Sequence, residues 1–229
     1  MILAIPIITI DGPSGAGKST ICKAIGKLLS WNILDSGAIY RSVALLSLNK
    51  KLNVLDLKNL SKCILSNFNI KFFYKNSEIR VLLNSKDITD KIREEQISKL
   101  SCSIAESSTI RNILIEKQRS FLKEPGLIAD GRDMGTVIFP HAPVKIFLDA
   151  SLEERTRRRK LQLKKKGFNV KFGLLFQEMK KRDEHDYNRK ISPLFPATDA
   201  IIINSEHISI NQIIENILQY AQEKLLFNN

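Results

Sequence analysis

Residues 8–19 read Ile8-Thr9-Ile10-Asp11-Gly12-Pro13-Ser14-Gly15-Ala16-Gly17-Lys18-Ser19, an apolar run that breaks into glycines and closes on a lysine and a hydroxyl. The spacing predicts strand, loop and helix in succession. Ile7 to Ile10 suits a buried strand, and from Lys18 to Leu29 the apolar Ile21, Ile25, Leu28 and Leu29 recur at helical intervals. The small residues Gly12, Pro13, Ser14, Gly15, Ala16 and Gly17 let backbone N–H groups close on phosphate oxygens. The helix opening at Lys18 turns its positive dipole end to the same anion. In that cradle Lys18 reaches the β- and γ-phosphates, Ser19 holds Mg²⁺, and Thr20 completes the nucleotide-binding run. A polyphosphate site follows, but the loop alone does not name the reaction.

Outward from the cradle, apolar runs and helical patterns alternate. Trp31 to Leu34 reads as a strand ending at Asp35-Ser36-Gly37, and a helix runs from Ala38 to about Leu48. Gly126 to Asp130, Val144 to Leu148 and Ala200 to Asn204 supply three more short strands. Five strands joined through helices predict an α/β fold: a parallel sheet with right-handed crossovers, helices on both faces, and ligands at the carboxyl ends of the strands. Val54 to Asn67 reads as a helix. Ile70 to Tyr74 and Ile79 to Leu83, split by Lys75-Asn76-Ser77, read as an antiparallel hairpin that interrupts the rhythm. The chain is therefore expected to form one domain, with its core at about 1–53, 106–150 and 191–229. An insert at about 54–105 carries the hairpin at 70–83, and a charged helical arm spans about 151–190. Helices are expected at Glu94 to Ala105, Thr109 to Leu122, from Ser151, to about Lys190 where Pro193 and Pro196 end it, and from Ser209.

Composition sets the class. With 229 residues, 43% hydrophobic and 26% charged, the chain is long enough for a full core and is not disordered or fibrous in character. Met1 to Ile8 lacks a basic leader and runs directly into the cradle, so it reads as an internal strand. No apolar run reaches the ~18 residues that span a bilayer. A cytoplasmic protein with no membrane partner is expected. Cys22, Cys63 and Cys102 are widely spaced without a C-x-x-C pair, which argues for reduced thiols over a disulfide framework or zinc site. The net charge of +12 is concentrated in residues 141–190, which hold 15 Lys and Arg against 7 Asp and Glu. Nucleic acid is one reading of such charge, but the stretch has no recognisable binding module and no interleaved aromatics. A polyphosphate site calls for the same arginines.

Four further stretches belong beside the cradle: Asp35 to Arg41, Gly131 to Thr136, Arg155 to Arg159 and Arg182 to Arg189. Together they bring at least five arginines toward one sheet edge, a density that calls for bound anions. The motifs I-T-I-D-G-P-S-G-A-G-K-S-T at Ile8 to Thr20, L-D-S-G-A-I-Y-R at Leu34 to Arg41, I-A-D-G-R-D-M-G-T-V-I-F-P at Ile128 to Pro140, and K-R-D with D-Y-N-R at Lys181 to Arg189 carry a resemblance. On these, the chain closely resembles the bacterial cytidylate kinases, of the nucleoside monophosphate kinase group of P-loop proteins. G-R-D-M-G-T-V is the most diagnostic run.

The resemblance implies phosphoryl transfer from ATP to CMP or dCMP in pyrimidine metabolism, with Mg²⁺, by a monomer that takes no nucleic acid. It makes the insert a monophosphate-binding region and the arm at about 151–190 a mobile lid. By position in the matching motifs, Arg41, Arg132 and Arg189 hold the acceptor phosphate, Arg182 and Asp186 contact the sugar hydroxyls, and Ser36 lines the same pocket. Asp133 and Arg111 match the cytosine edge, accepting from N4 and donating to N3 or O2. Lys18, Arg132, Arg189 and the lid residues Arg155 and Arg158 are the candidates for acting on the transferring group. Helical spacing allows Arg155 to share a face with Arg158 or Arg159. Cys102 stands where the family has a serine touching the base, so either the contact is dispensable, or Ser101 or Ser103 substitutes, or cytosine selectivity is reduced. The rival readings are a small P-loop kinase for UMP, AMP or an alcohol, and a nucleic-acid-binding ATPase.

Overall fold

A computed structural model describes residues 5–76, 78–165 and 167–226. The strand before the glycine loop is Ile7–Asp11 (β1), with all five residues buried; Met1 to Ala4, read as part of the same run, lie outside the described residues. Then come helix Lys18–Leu29 (α1), strand Asn32–Asp35 (β2), and helices Ser36–Asn49 (α2) and Leu57–Asn67 (α3). The hairpin is Ile70–Lys75 (β3) and Glu78–Leu83 (β4), with Ser77 outside the described residues, and a two-residue strand Lys86–Asp87 (β5) follows. Helices Glu95–Ala105 (α4) and Ser108–Arg119 (α5) lead to strands Leu127–Gly131 (β6) and Val144–Asp149 (β7). Helices Leu152–Lys165 (α6) and Phe172–Asn188 (α7), strand Ile201–Asn204 (β8) and helix Ile210–Leu226 (α8) complete the chain.

The five strands expected form one all-parallel sheet in the order β2-β6-β1-β7-β8. Because side chains alternate across a strand, neighbouring residues serve opposite faces. Ile8, Ile10, Ile128, Val144, Ile146 and Leu148 pack with α1 and α8, while Ile7, Leu34, Leu127 and Ala129 pack on the other side with α2 to α5. That second cluster continues without a break into Ile70, Val81 and Leu83 of the small antiparallel sheet β3-β4-β5 and Ile88 just after it.

Local chemistry moves several boundaries. The Asp35 carboxylate accepts from the Ala38 N–H at 2.8 Å, so α2 starts at Ser36, two residues before the apolar pattern does. Asn53 turns the chain by accepting from the Leu55 N–H, and Asp56 caps α3, which delays that helix to Leu57. α7 ends at Asn188 because Arg189 turns extended, so the prolines at 193 and 196 are not what stops it. The strand β5 was not anticipated: two residues are too few to show a period.

Candidate active site

All four motifs meet at the carboxyl edge of the sheet. The glycine loop leaves β1 in a conformation that needs Gly12: its φ is +143°, and an added Cβ would lie 2.0 Å from the Leu148 carbonyl oxygen. No side chain caps α1, whose N-cap is Gly17, so its N-terminus faces the loop as an anion site. Lys18 is buried and donates to the Gly12 and Pro13 carbonyls at 2.8 and 2.9 Å. Burial, with Arg132 nearby, pushes its ammonium down to about 7. Ser19 donates to the Asp130 carboxylate at 2.8 Å, and burial beside Asp35 pushes that carboxyl up to about 6.

Asp130 and Gly131 close β6, and Arg132-Asp133 then leads into one π-helical turn, Met134–Ile138. Its wide bonds run from the Ile138 N–H to the Asp133 carbonyl (3.1 Å) and from the Phe139 N–H to the Met134 carbonyl (2.7 Å). The buried Asp11 carboxylate, at the end of β1, accepts from the Met134 and Gly135 N–H groups at 2.9 and 2.8 Å. Burial raises the Asp11 carboxyl to about 7 against the pull of those two bonds. The turn is thereby pinned to the strand that feeds the glycine loop, and it presents Arg132 and Asp133 to the cleft.

Opposite the loop the arginines converge. Arg132 donates through Nε to Asp186 at 2.7 Å; burial opposes its charge, yet Asp186 holds the guanidinium above its usual range. Burial raises the Asp186 carboxyl, but Arg132, Arg182 and Arg189 outweigh it and keep that group low. Arg41 leans on Asp35 at 3.3 Å. Burial and like-charged neighbours depress Arg182 and Arg189. Arg41 Nε, Arg182 Nε and one terminal nitrogen of Arg189 are buried and donate to nothing among the described residues. Ser36 is buried at the head of α2. Arg111 and Asp133 form a buried ion pair, and Arg111 sits 5.6 Å from the centre of the Tyr40 ring.

Arg155 and Arg158 are placed differently. Arg155 is buried, bound to the Ala150 and Ser14 carbonyls at 2.8 and 3.1 Å and to Asp183 at 2.6 Å. Arg158 reaches the Ala16 carbonyl (3.4 Å) and Ser205, and pairs with Glu154. Both hold the backbone of the glycine loop. Arg159 is exposed and donates to Gln162 on its own helix at 3.4 Å; partial desolvation, with Arg41 in range, lowers its guanidinium. Cys102 is half-buried on α4, whereas Ser101 is buried and donates back to the Ser98 carbonyl at 2.7 Å and Ser103 is exposed.

Asp11, Asp130 and Asp183 were not singled out by sequence reasoning. Asp11 and Asp130 each end an apolar strand at the ligand edge, a signal that was available; Asp183 shows only once α6 and α7 are paired.

A profile of the cytidylate kinase family matches residues 8–223. A cytidylate kinase from Citrobacter koseri is 50% identical over 220 residues, covering 96% of each chain. One from Enterobacter sp. (strain 638) is 48% identical over 225 residues, covering 98% of this chain and 99% of that one. One from Escherichia fergusonii is 50% identical over 220 residues, covering 96% of each. With motif, fold and near full-length similarity in agreement, the chain belongs to the cytidylate kinase family.

Proposed function

We propose that the protein transfers the γ-phosphoryl group of ATP to CMP or dCMP, releasing ADP and CDP or dCDP, as a cytoplasmic enzyme of pyrimidine nucleotide metabolism. The carrying observation is the set of buried guanidinium nitrogens of Arg41, Arg182 and Arg189 that lack partners beside the buried Arg111–Asp133 pair. A nucleoside monophosphate supplies both complements: phosphate oxygens for the arginines and a polar base edge for the pair.

ATP lies along Gly12 to Thr20, with Lys18 leaving the loop carbonyls for the β- and γ-phosphates. Arg41, Arg132 and Arg189 hold the acceptor phosphate, Arg182 and Asp186 the sugar, and Ser36 the pocket wall. Asp133 accepts from the cytosine amino group and Arg111 donates to the ring. Uracil would set a carbonyl oxygen against the Asp133 carboxylate, which disfavours it. An acceptor phosphate oxygen attacks the γ-phosphorus, the bond to the β-bridging oxygen breaks, and the leaving charge passes to ADP. The acceptor is already mostly dianionic at neutral pH, its second pKa being about 6, so no general base is needed. Lys18, Arg132 and Arg189 stabilise the transferring charge. Arg155 and Arg158 also keep the loop in shape, and the arm at about 151–190 that carries them closes as the lid.

The Ser19 hydroxyl and Asp130 carboxylate, already 2.8 Å apart, are hard oxygen donors that fit Mg²⁺. When bound there it neutralises phosphate charge; the protein's share is to place those two oxygens beside the loop. One chain supplies every named residue, so a monomer suffices. The test is coupled ADP release with CMP, dCMP, UMP and AMP. Turnover with CMP and dCMP well above UMP and AMP is expected, and equal rates on all four would overturn the base assignment.

A further inference from the structure

At the opposite end of α1 from the glycine loop, about 18 Å along a helix of 12 residues, lies a groove of about 870 Å³. It runs between two sheets. β2 is the edge of the large sheet and β3 the edge of the small one, and the groove is lined by Trp31 to Ile33 on one side and Phe68 to Tyr74 on the other. Its size falls in the range of small-molecule sites, roughly 300–1,000 Å³.

Two features of the lining point to the same ligand. Flat apolar surface comes from Trp31, Phe72, Tyr74 and Phe121, with the Phe72 and Phe121 rings in contact at 5.3 Å between centres and tilted by 55°. Charge comes from Lys27, Lys71, Lys117 and Lys123, and no Asp or Glu is among the lining residues described. Edge-strand lysines commonly guard against unwanted pairing. That accounts for Lys71 on β3, but Lys27 is on α1, Lys117 on α5 and Lys123 in the loop after it. Four separate elements thus bring cations to one aromatic-walled groove.

We propose that this groove binds a small anion with a flat aromatic body, at a site separate from the nucleotide cleft. The rings stack on the body and the lysines meet the charge. Because the walls belong to the core sheet on one side and the inserted sheet on the other, an occupant bridges the two.

The test uses anilinonaphthalene sulfonate, a flat aromatic anion, with energy transfer from Trp31, the single tryptophan of the chain. Saturable one-to-one binding is expected, unchanged by saturating ATP and CMP. The exposed pair Lys71→Glu with Lys123→Glu should weaken it roughly tenfold or more, and Lys50→Glu with Lys51→Glu, outside the groove, should leave it unaltered. No saturable binding, displacement by ATP with CMP, equal weakening by both pairs, or equal affinity for the uncharged phenylnaphthylamine would each overturn the proposal.

Discussion

Lys18 is held by two carbonyls, and burial draws its ammonium down to about 7 in the free protein. A polyphosphate favours the ammonium. ATP binding above about pH 7 should therefore be linked to proton uptake at Lys18, and affinity should fall as pH rises through that range, where the proton must be drawn from solution. Calorimetry in two buffers of different ionisation heat reads the uptake, and Lys18→Arg, which stays charged, should abolish it. Equal heats in both buffers for the parent would contradict this. Cys102 gives a second residue-scale test. With Ser101 bonded to its own helix and Ser103 exposed, Cys102→Ser adds a better donor that no neighbour already supplies. The ratio of kcat/KM for CMP over UMP should rise about fivefold, the worth of one ordinary hydrogen bond of about 1 kcal/mol. An unchanged ratio would remove the thiol from base recognition. The glycine loop was legible at this scale because its chemistry is local. The partners of Arg155 were not, since Ser14 and Asp183 lie 141 and 28 residues away in sequence.

On α6 the arginines divide by helical position. Arg155 and Arg158 turn inward to the loop backbone, while Arg159, one step round the helix, is exposed with Arg41 in its field. Removing Arg155 strands Asp183 in a buried setting, which costs about 3 kcal/mol or more. Arg155→Met should lower Tm by about 6 °C or more at this chain length. Arg159→Met should leave Tm unchanged and reduce kcat, because a charge within range of Arg41 is lost while no buried partner is stranded. Thermal melts beside steady-state rates separate the two; a silent Arg155→Met melt would sink the structural role. Element order and type could be read from sequence because apolar periodicity is repeated several times along each helix. The π-helical turn at Met134–Ile138 could not, because it arises from Asp11 gripping Met134 and Gly135 across 123 and 124 residues.

Across the whole molecule, the insert does not form a separate core. The cluster containing Leu34, Leu127 and Ala129 of the central sheet also contains Ile70, Val81 and Leu83 of the small one. Heat should therefore unfold the chain in one transition, with calorimetric and van't Hoff enthalpies equal. An earlier peak assignable to residues 54–105 would show the insert melting alone. The hairpin was visible in the sequence as a break in rhythm, but its sharing of the central core was not, because periodicity marks a buried face without naming what covers it. The Asp11 carboxylate also bears on how such an enzyme could be redesigned. By fastening the acceptor-reading turn to the strand that carries the donor loop, it fixes the gap between the two substrates like the frame of a vice. A new acceptor base would have to be accommodated by changing the jaws, at Arg111 on α5, Cys102 on α4 and Arg182 on α7, with the frame left untouched.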